Sequence, residues 1–552
     1  MAKSVEQIKA ESHHLRGHLY EEVFESLEPG VSEESRQVIK FFGMYMQDDR
    51  DQRRARKEDG LDPAHTFMVR IAIPGGRLRA DQYLAIEDLS DDIGRGDFRL
   101  TSRQAIQVHG IAKGKLSPLV SRLHKIGIST LAGCGDVERN IMTCPVPDGG
   151  GVRDQVRSVA ESLSKTLKPR TGAYVELFVE GQRVYGIREE EPLYGDTYLP
   201  RKFKTGFAIE GDNCTDVFSD DIGIVAHADD QGDLENFTVI VGGGLGHSHG
   251  IPKTRAFLGQ LLGRIRPENL EVVVKAIMTI QRDYGNREDR RYARMKYLVD
   301  NWGLDVFRTE VEARSEIRFA PPGGLGFQRA EDHLGWHPEQ GYLGLFVPQG
   351  RVVGSVRQAI SHIVRAISPE LCVTPQQNLL LVGIDQAQKR EAERIWQEHG
   401  LKRAEALLSI HRISIACVAL PTCSLALAEA ERAFPELMQR LESEWVRLGL
   451  GSESIVVRMT GCPNNCVRSE MAEIGFVGSS PGKYHIYLGG SPAGTRLAIK
   501  FRERVLFDEL IPTIIPLLEW YAEERRPQQA FGDWAHNLGM HLLEQRMQKV
   551  RS

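Results

Sequence analysis

Two stretches of this chain are copies of one another, and that repeat limits the folds open to it more than any other feature. Residues 73–111, IPGGRLRADQYLAIEDLSDDIGRGDFRLTSRQAIQVHGI, align with residues 347–384, VPQGRVVGSVRQAISHIVRAISPELCVTPQQNLLLVGI, with one residue fewer in the second copy. Each copy reads as a strand, a glycine turn, an amphipathic helix and a second strand closed by Gly-Ile, a β-α-β unit too small to bury a core alone. Two such units side by side predict one pseudo-twofold sheet. The interval from about 135 to 335 then becomes an inserted domain, and residues beyond about 405 form another.

The two copies differ in charge. On a strand alternate residues share a face, so Arg99, Thr101, Arg103, Gln107 and His109 point one way while Phe98, Leu100, Ile106 and Val108 point the other. The second copy has Cys372, Thr374, Gln376 and Asn378 instead, uncharged where the first carries Arg99 and Arg103. A solvated sheet face is the plain reading, but no acids are interleaved with these arginines. A second basic strand follows in YLPRKFKTGFAIEG, where Pro200 opens it, Phe203, Phe207 and Ile209 face a core, and Lys202 and Lys204 share the opposite face. Paired ammonium groups repel unless an anion lies between them. With Arg70 in FMVRIAIPGG and Arg139 in GDVERNIM they form a candidate pocket for a small oxyanion, a polycarboxylate cofactor, or both. Guarding an exposed strand edge is the competing reading for the lysines.

Four cysteines in two pairs carry the clearest chemistry. Cys417 and Cys423 stand in IACVALPTC, and Cys462 and Cys466 in TGCPNNC. Their spacing fits four thiolates converging on an iron-sulfur cluster, and the Pro-Asn-Asn turn can aim N–H groups at its sulfurs. Zinc favours closer cysteine pairs, and unrelated buried thiols are the other competing reading. A disulfide scaffold is not expected, because eight cysteines in 552 residues is sparse and the opening MAKSVEQIKAESHHLRG has no apolar segment. A cytoplasmic location is therefore expected. No run of apolar residues is long enough for a membrane span, and a net charge of −5 gives no overall signal for nucleic acid.

The glycine-rich GGGLGHSHG at 242–250 is not a dinucleotide fingerprint, since after Gly244 and Gly246 the next glycine comes one residue late at Gly250. No P-loop motif is present either. If NADPH supplies electrons, another polypeptide binds it. His247 and His249 are a possible metal pair, with a polar glycine loop the favoured reading.

Together GMYMQDDRDQR, RLTSRQAIQVHGI, YLPRKFKTGF, VGGGLG, QRDYGNREDRRYARMKY, ACVALPTCSLALAEAER and RMTGCPNNC cover nearly the whole chain. This combination resembles the sulfite and nitrite reductases that couple siroheme to a four-iron four-sulfur cluster, and within them the NADPH-dependent sulfite-reducing branch. The resemblance implies that Cys417, Cys423, Cys462 and Cys466 ligate the cluster and that Cys466 also bridges to the siroheme iron. It implies that Arg99, Arg103, His109, Arg201 and Lys296 meet siroheme, and that Arg70, Arg139, Lys202 and Lys204 hold sulfite for six-electron reduction to sulfide. Electrons are expected from an NADPH-oxidising flavoprotein subunit carrying FAD and FMN, with ferredoxin as the alternative donor. A ferredoxin-dependent sulfite or nitrite reductase and a non-catalytic iron-sulfur carrier are the competing functions, and the presence of both lysines favours sulfite. Some ferredoxin-linked relatives form a Tyr-Cys crosslink near the site, for which this sequence gives no basis.

The expected fold is α+β: a pseudo-twofold ferredoxin-like repeat domain, an inserted α/β domain and a C-terminal α/β domain bearing the cluster. The expected boundaries are an N-terminal extension at 1–66 for association, repeat halves at 67–133 and 335–405, a siroheme-binding insert at 134–334, and the cluster domain at 406–552.

Overall fold

The computed structural model describes residues 3–171, 177–179, 182–185 and 191–551. Both repeat copies are present, built from a short strand, a helix and a hairpin. The first uses Arg77–Leu78, the helix Ala80–Asp92 and strands Phe98–Leu100 and Ile106–Ile111. The second uses Arg351–Val352, the helix Gly354–Ile367 and strands Glu370–Val373 and Leu379–Val382. The α+β class holds, the two helices touch, and Ile86, Leu89, Ile360 and Ile363 on them are buried in one core.

The copies do not form the single sheet that the sequence predicts. They build two five-stranded sheets that exchange their short strands. Arg351–Val352 of the second copy pairs with Phe98–Leu100 of the first, and Arg77–Leu78 pairs with Glu370–Val373. A two-residue strand has too little surface to end its own sheet. Crossing over lets it cover the open hydrogen-bonding edge of the partner copy, so the two halves interlock.

Two further expectations are corrected. Strand Met44–Asp48 pairs with His65–Ile71 in the first sheet, so the first half reaches back to residue 44, inside the expected extension of 1–66. The stretch from Phe98 to Ile111 is a hairpin and not one strand, with its tip at Thr101–Ala105. The Thr101 hydroxyl accepts from the Arg103 and Ala105 amides at 3.3 and 3.1 Å, and Gln104 takes a φ of 53°. Its equivalent Thr374 accepts from Asn378, and Gln377 takes a φ of 64°. A threonine hydroxyl thus braces each turn, the first with neither glycine nor proline and the second with Pro375 after its threonine. Arg99 and Arg103 accordingly lie on a strand and on a turn, and do not share a strand face.

The insert holds a four-stranded sheet, Gln260–Ile265, Leu234–Val241, Ile222–Ala228 and Thr205–Ile209. The C-terminal unit holds five strands, Ile415–Ala416, Val457–Thr460, Ile474–Ser480, Lys483–Leu488 and Ile499–Leu506, the first three parallel. These units share a second repeat. Asn213-Cys214-Thr215-Asp216 recurs as Asn465-Cys466-Val467-Arg468, each followed by an Ile-Gly that opens a strand. Asp216 and Arg468 both adopt left-handed φ, 55° and 61°, and pair with each other across the interface between the units.

Candidate active site and cluster cradle

Two neighbouring parallel strands deliver the four cysteines. Cys417 follows Ile415–Ala416, while Cys462 and Cys466 lie in the loop after Val457–Thr460. The Gly461 amide donates to Cys417 Sγ at 3.2 Å, the Thr460 hydroxyl lies 3.5 Å from it, and Asn464 Nδ2 lies 3.5 Å from Cys462 Sγ. Such donors favour the thiolate. Burial pushes the thiols the other way, Cys417 up to about 11 and Cys462 up to about 12, with Cys466 adding to both. Ionised sulfurs therefore need a cationic centre among them. No three of the four sulfurs lie within 4.8 Å of one another. One tetrahedral ion bonded at about 2.3 Å would hold them about 3.8 Å apart, so the spacing suits a multi-iron cluster better. Cys466 is the exposed member of the set.

The repeat domain grips this cradle from below. Arg99 pairs with Glu431 and donates to the Ala416 carbonyl at 2.7 Å, next to Cys417. Arg351, from the exchanged strand, binds the same carboxylate at 2.6 and 2.9 Å, and the Glu431 amide donates to the Cys417 carbonyl. Arg50 donates to the carbonyls of Cys423 and Ala426. The hairpin tip supplies the Ser102 hydroxyl to the Cys466 carbonyl at 3.1 Å. Removing that hydroxyl by Ser102→Ala should lower the stability of the cofactor-loaded chain by about 1 kcal/mol, with iron content unchanged, as read from denaturant melts.

A cationic chamber adjoins Cys466. Arg201, Lys202 and Lys204 line the extended segment entering Thr205–Ile209, while Phe203 between them is buried. The Arg139 amide donates to the Phe203 carbonyl, which sets Arg139 on the same ladder. Arg70 donates to Cys134 Sγ at 2.7 Å and stands 5.9 Å from the Tyr45 ring centre. Tyr45 interacts electrostatically with both Cys134 and Arg139, so Arg70, Arg139, Tyr45 and Cys134 form one group. Close backbone approach builds it: a Cβ on Gly133 would stand 2.6 Å from the Arg70 carbonyl oxygen. The resemblance raised Tyr-Cys proximity only for relatives, and Tyr45 was not singled out from sequence.

Among the described residues neither lysine ammonium, nor the Arg201 guanidinium, makes a hydrogen bond or ion pair. Burial drives Lys202 well below the ordinary lysine value, and Lys204, Arg201 and Arg294 push it further, while Cys466 pulls the other way. Burial and then Arg103 bring Lys204 down to about 8, and burial brings Arg201 to about 10. Uncompensated positive charge of this density calls for anions.

Other expected cofactor contacts are differently engaged. Arg99 is 1% exposed and committed to Glu431 and Ala416, so it braces the loop that carries Cys417. Its partner lies too far along the chain for the strand pattern to reveal. Lys296 Nζ is bonded to the carbonyls of Gly244, Gly246 and Arg255, which uses all three of its donors and ties down the glycine loop. That loop in turn docks on the cluster loop, the His247 amide donating to the Pro463 carbonyl at 3.0 Å. His247 Nε2 bonds to Glu470 at 2.8 Å, in keeping with a polar loop. His109 is buried, bonds to Gln47 through Nδ1 and is held neutral by burial, leaving Nε2 without a partner among the described residues. Arg103 pairs with Asp220 at 2.8 Å, and its Nε is also unpartnered.

Comparison with known proteins agrees with this architecture. The family profile described as "Nitrite and sulphite reductase 4Fe-4S domain" matches residues 158–319 and again 412–550. A second, "Nitrite/Sulfite reductase ferredoxin-like half domain", matches 59–126. The sulfite reductase (NADPH) hemoprotein beta-component of Shouchella clausii is 40% identical over 97% of this chain and 95% of its own length. That of Geobacillus kaustophilus is 40% identical with the same coverage. The structure of the Mycobacterium tuberculosis NirA protein superposes with a TM-score of 0.79 at 22% identity, over 97% of this chain and 96% of that one, and shares the fold. By the extent of these matches, the chain belongs to the nitrite and sulphite reductase family, among the sulfite reductase (NADPH) hemoprotein beta-components.

Proposed function

We propose that this chain is an assimilatory sulfite reductase hemoprotein, reducing sulfite to sulfide with siroheme and a four-iron four-sulfur cluster. The observation that carries the reading is the group of Arg201, Lys202 and Lys204, without a hydrogen bond or ion pair among the described residues, with Lys202 within the electrostatic reach of Cys466. Siroheme is a polycarboxylate and sulfite an oxyanion, so this donor set fits both. When bound, the cofactors would supply the redox chemistry, delivering single electrons to the substrate.

The protein's residues do the rest. Cys417, Cys423, Cys462 and Cys466 would hold the cluster, and Cys466, the exposed one of the four, would serve siroheme as well. Arg201 and the free Nε of Arg103 face siroheme carboxylates. Arg70, Arg139, Lys202 and Lys204 hold the substrate oxygens and favour the charge that grows on them. Three oxygens leave as water, which takes six protons. Lys204, with its proton affinity brought down to about 8, can donate near neutral pH and be reprotonated.

The relatives' names contain NADPH, and this chain lacks a dinucleotide fingerprint, so electrons enter from an NADPH-oxidising flavoprotein subunit. Among the described residues no helix is long and apolar enough to cross a membrane. The purified chain alone should not oxidise NADPH but should reduce sulfite with reduced methyl viologen. NADPH turnover by the single polypeptide would reveal a nucleotide site. Turnover with reduced ferredoxin, and none with flavoprotein plus NADPH, would reassign the donor. A preference for nitrite over sulfite would reassign the substrate.

A further inference from the structure

A second cluster of metal-binding side chains lies in the insert, apart from the cradle. Cys144, Asp212, Cys214 and His333 are all buried, and their ligand atoms all lie within 4.8 Å of one another, the one such group among the described residues. Cys144 Sγ is 3.5 Å from Asp212 Oδ2 and 3.9 Å from His333 Nε2, and His333 Nε2 is 3.5 Å from Asp212 Oδ2. A tetrahedral zinc ion, with bonds of about 2.3 Å to sulfur and 2.0–2.1 Å to nitrogen or oxygen, sets its ligands about 3.3–3.8 Å apart. These three edges are close to those of a zinc tetrahedron, and Cys214 completes the set within 4.8 Å of each.

The surroundings are built to hold the ligands in place. Asp212 turns its other oxygen, Oδ1, to the Cys214 amide at 3.0 Å. Gln376 clamps the Cys214 carbonyl at 2.7 Å. His333 takes a left-handed φ of 57° and is pinned on both sides, Asp332 by Arg412 at 2.7 and 2.8 Å and the Leu334 carbonyl by the same arginine. Two thiolates and a carboxylate around a divalent ion leave one negative charge, and Arg153 Nη2 stands 3.6 Å from Asp212 to balance it. Outer partners of this kind are what orient ligands in structural metal sites.

The internal repeat supplies independent support. Met142 bridges Gly206 in parallel as Ile415 bridges Arg458, and a cysteine follows two residues later in each case, Cys144 and Cys417. Cys214 matches Cys466 in the Asn-Cys repeat. Cys144 and Cys214 thus occupy in the insert the places that two cluster ligands occupy in the C-terminal unit. There the site opens at Cys466, whereas here all four ligands come from the protein and are closed off from solvent.

We infer that Cys144, Asp212, Cys214 and His333 bind one structural zinc ion. It joins the segment leading into the insert, the turn between Thr205–Ile209 and Ile222–Ala228, and the segment leading out to Gly335–His337. The ion therefore fastens the insert at both of its ends against the second repeat half.

The test is made on the cofactor-loaded chain, purified without chelator from zinc-supplemented cells. Elemental analysis should give about one zinc per chain beside the iron, and zinc-edge X-ray absorption, to which iron centres do not contribute, should show two sulfurs at about 2.3 Å and two lighter ligands at about 2.0–2.1 Å. His333→Ala and Cys144→Ser should lower zinc by about tenfold or more with iron unchanged. Should those variants not fold, the measurement on the natural chain decides. Zinc below about a tenth per chain, a zinc edge without sulfur neighbours, or a Cys144–Cys214 disulfide in the denatured chain would overturn the inference. Those outcomes leave sulfite reduction untouched.

Discussion

Cys466→Ser should yield a chain with no measurable sulfite turnover, depleted of both cluster iron and siroheme. One sulfur serves two centres in the proposed site, so one substitution removes a ligand from each. Serine oxygen is a harder and poorer ligand for iron than a thiolate. The surrounding contacts do not compensate: Ser102 holds the Cys466 carbonyl and not its side chain, and the other three cluster sulfurs are deeper in the protein. Iron, acid-labile sulfide and the siroheme absorption bands give the readout. Cys134→Ser is the control for cofactor content, because Cys134 contacts Arg70 and Tyr45 and lies outside the cradle. Full cofactor content and turnover in Cys466→Ser would sink the assignment.

The parts of this protein that sequence reveals are those whose signal is local. The two β-α-β copies share enough residues to align, and the cysteine pairs sit in short motifs. The strand exchange leaves no such trace, because Arg77–Leu78 and Arg351–Val352 are too short to show a period. The hairpin at Phe98–Ile111 reads as one strand because its turn rests on a threonine hydroxyl and a glutamine in left-handed φ, where glycine or asparagine is the usual mark. Arg99 illustrates the limit most sharply. Its charge is legible, but Glu431 lies 332 residues away, and only the folded chain shows that this arginine supports the loop that carries Cys417. The Asn-Cys repeat was present in the sequence all along, yet its copies lie in units with different surroundings. The matching strands of the insert and the C-terminal unit are what make the equivalence of Cys214 and Cys466 visible.

Lys204→Asn should lower kcat/KM for sulfite by about a hundredfold and leave nitrite reduction intact or improved, with siroheme and iron content unchanged. Neither Lys202 nor Lys204 makes an ion pair among the described residues, Lys204 holds the Lys202 value down, and burial outweighs the pull of Asp220 and Asp221 on Lys204. Sulfite is mainly the dianion above neutral pH and nitrite carries one charge, so deleting an ammonium costs the dianion more, about 2–3 kcal/mol for a desolvated contact. The pH dependence supplies a second check. The Lys204 value is lowered to about 8 in the anion-free chain, so the ammonium is present below that pH and is lost as pH rises through it. Siroheme carboxylates draw the value upward, so the loaded chain should lose kcat/KM for sulfite at or above about pH 8 in a step that Lys204→Asn lacks. Bound sulfite draws the lysine value upward, so the corresponding step in kcat lies at higher pH. Equal losses for sulfite and nitrite would indicate general damage to the chamber. No loss for either would return these lysines to the solvated strand edge that the sequence alone also permits.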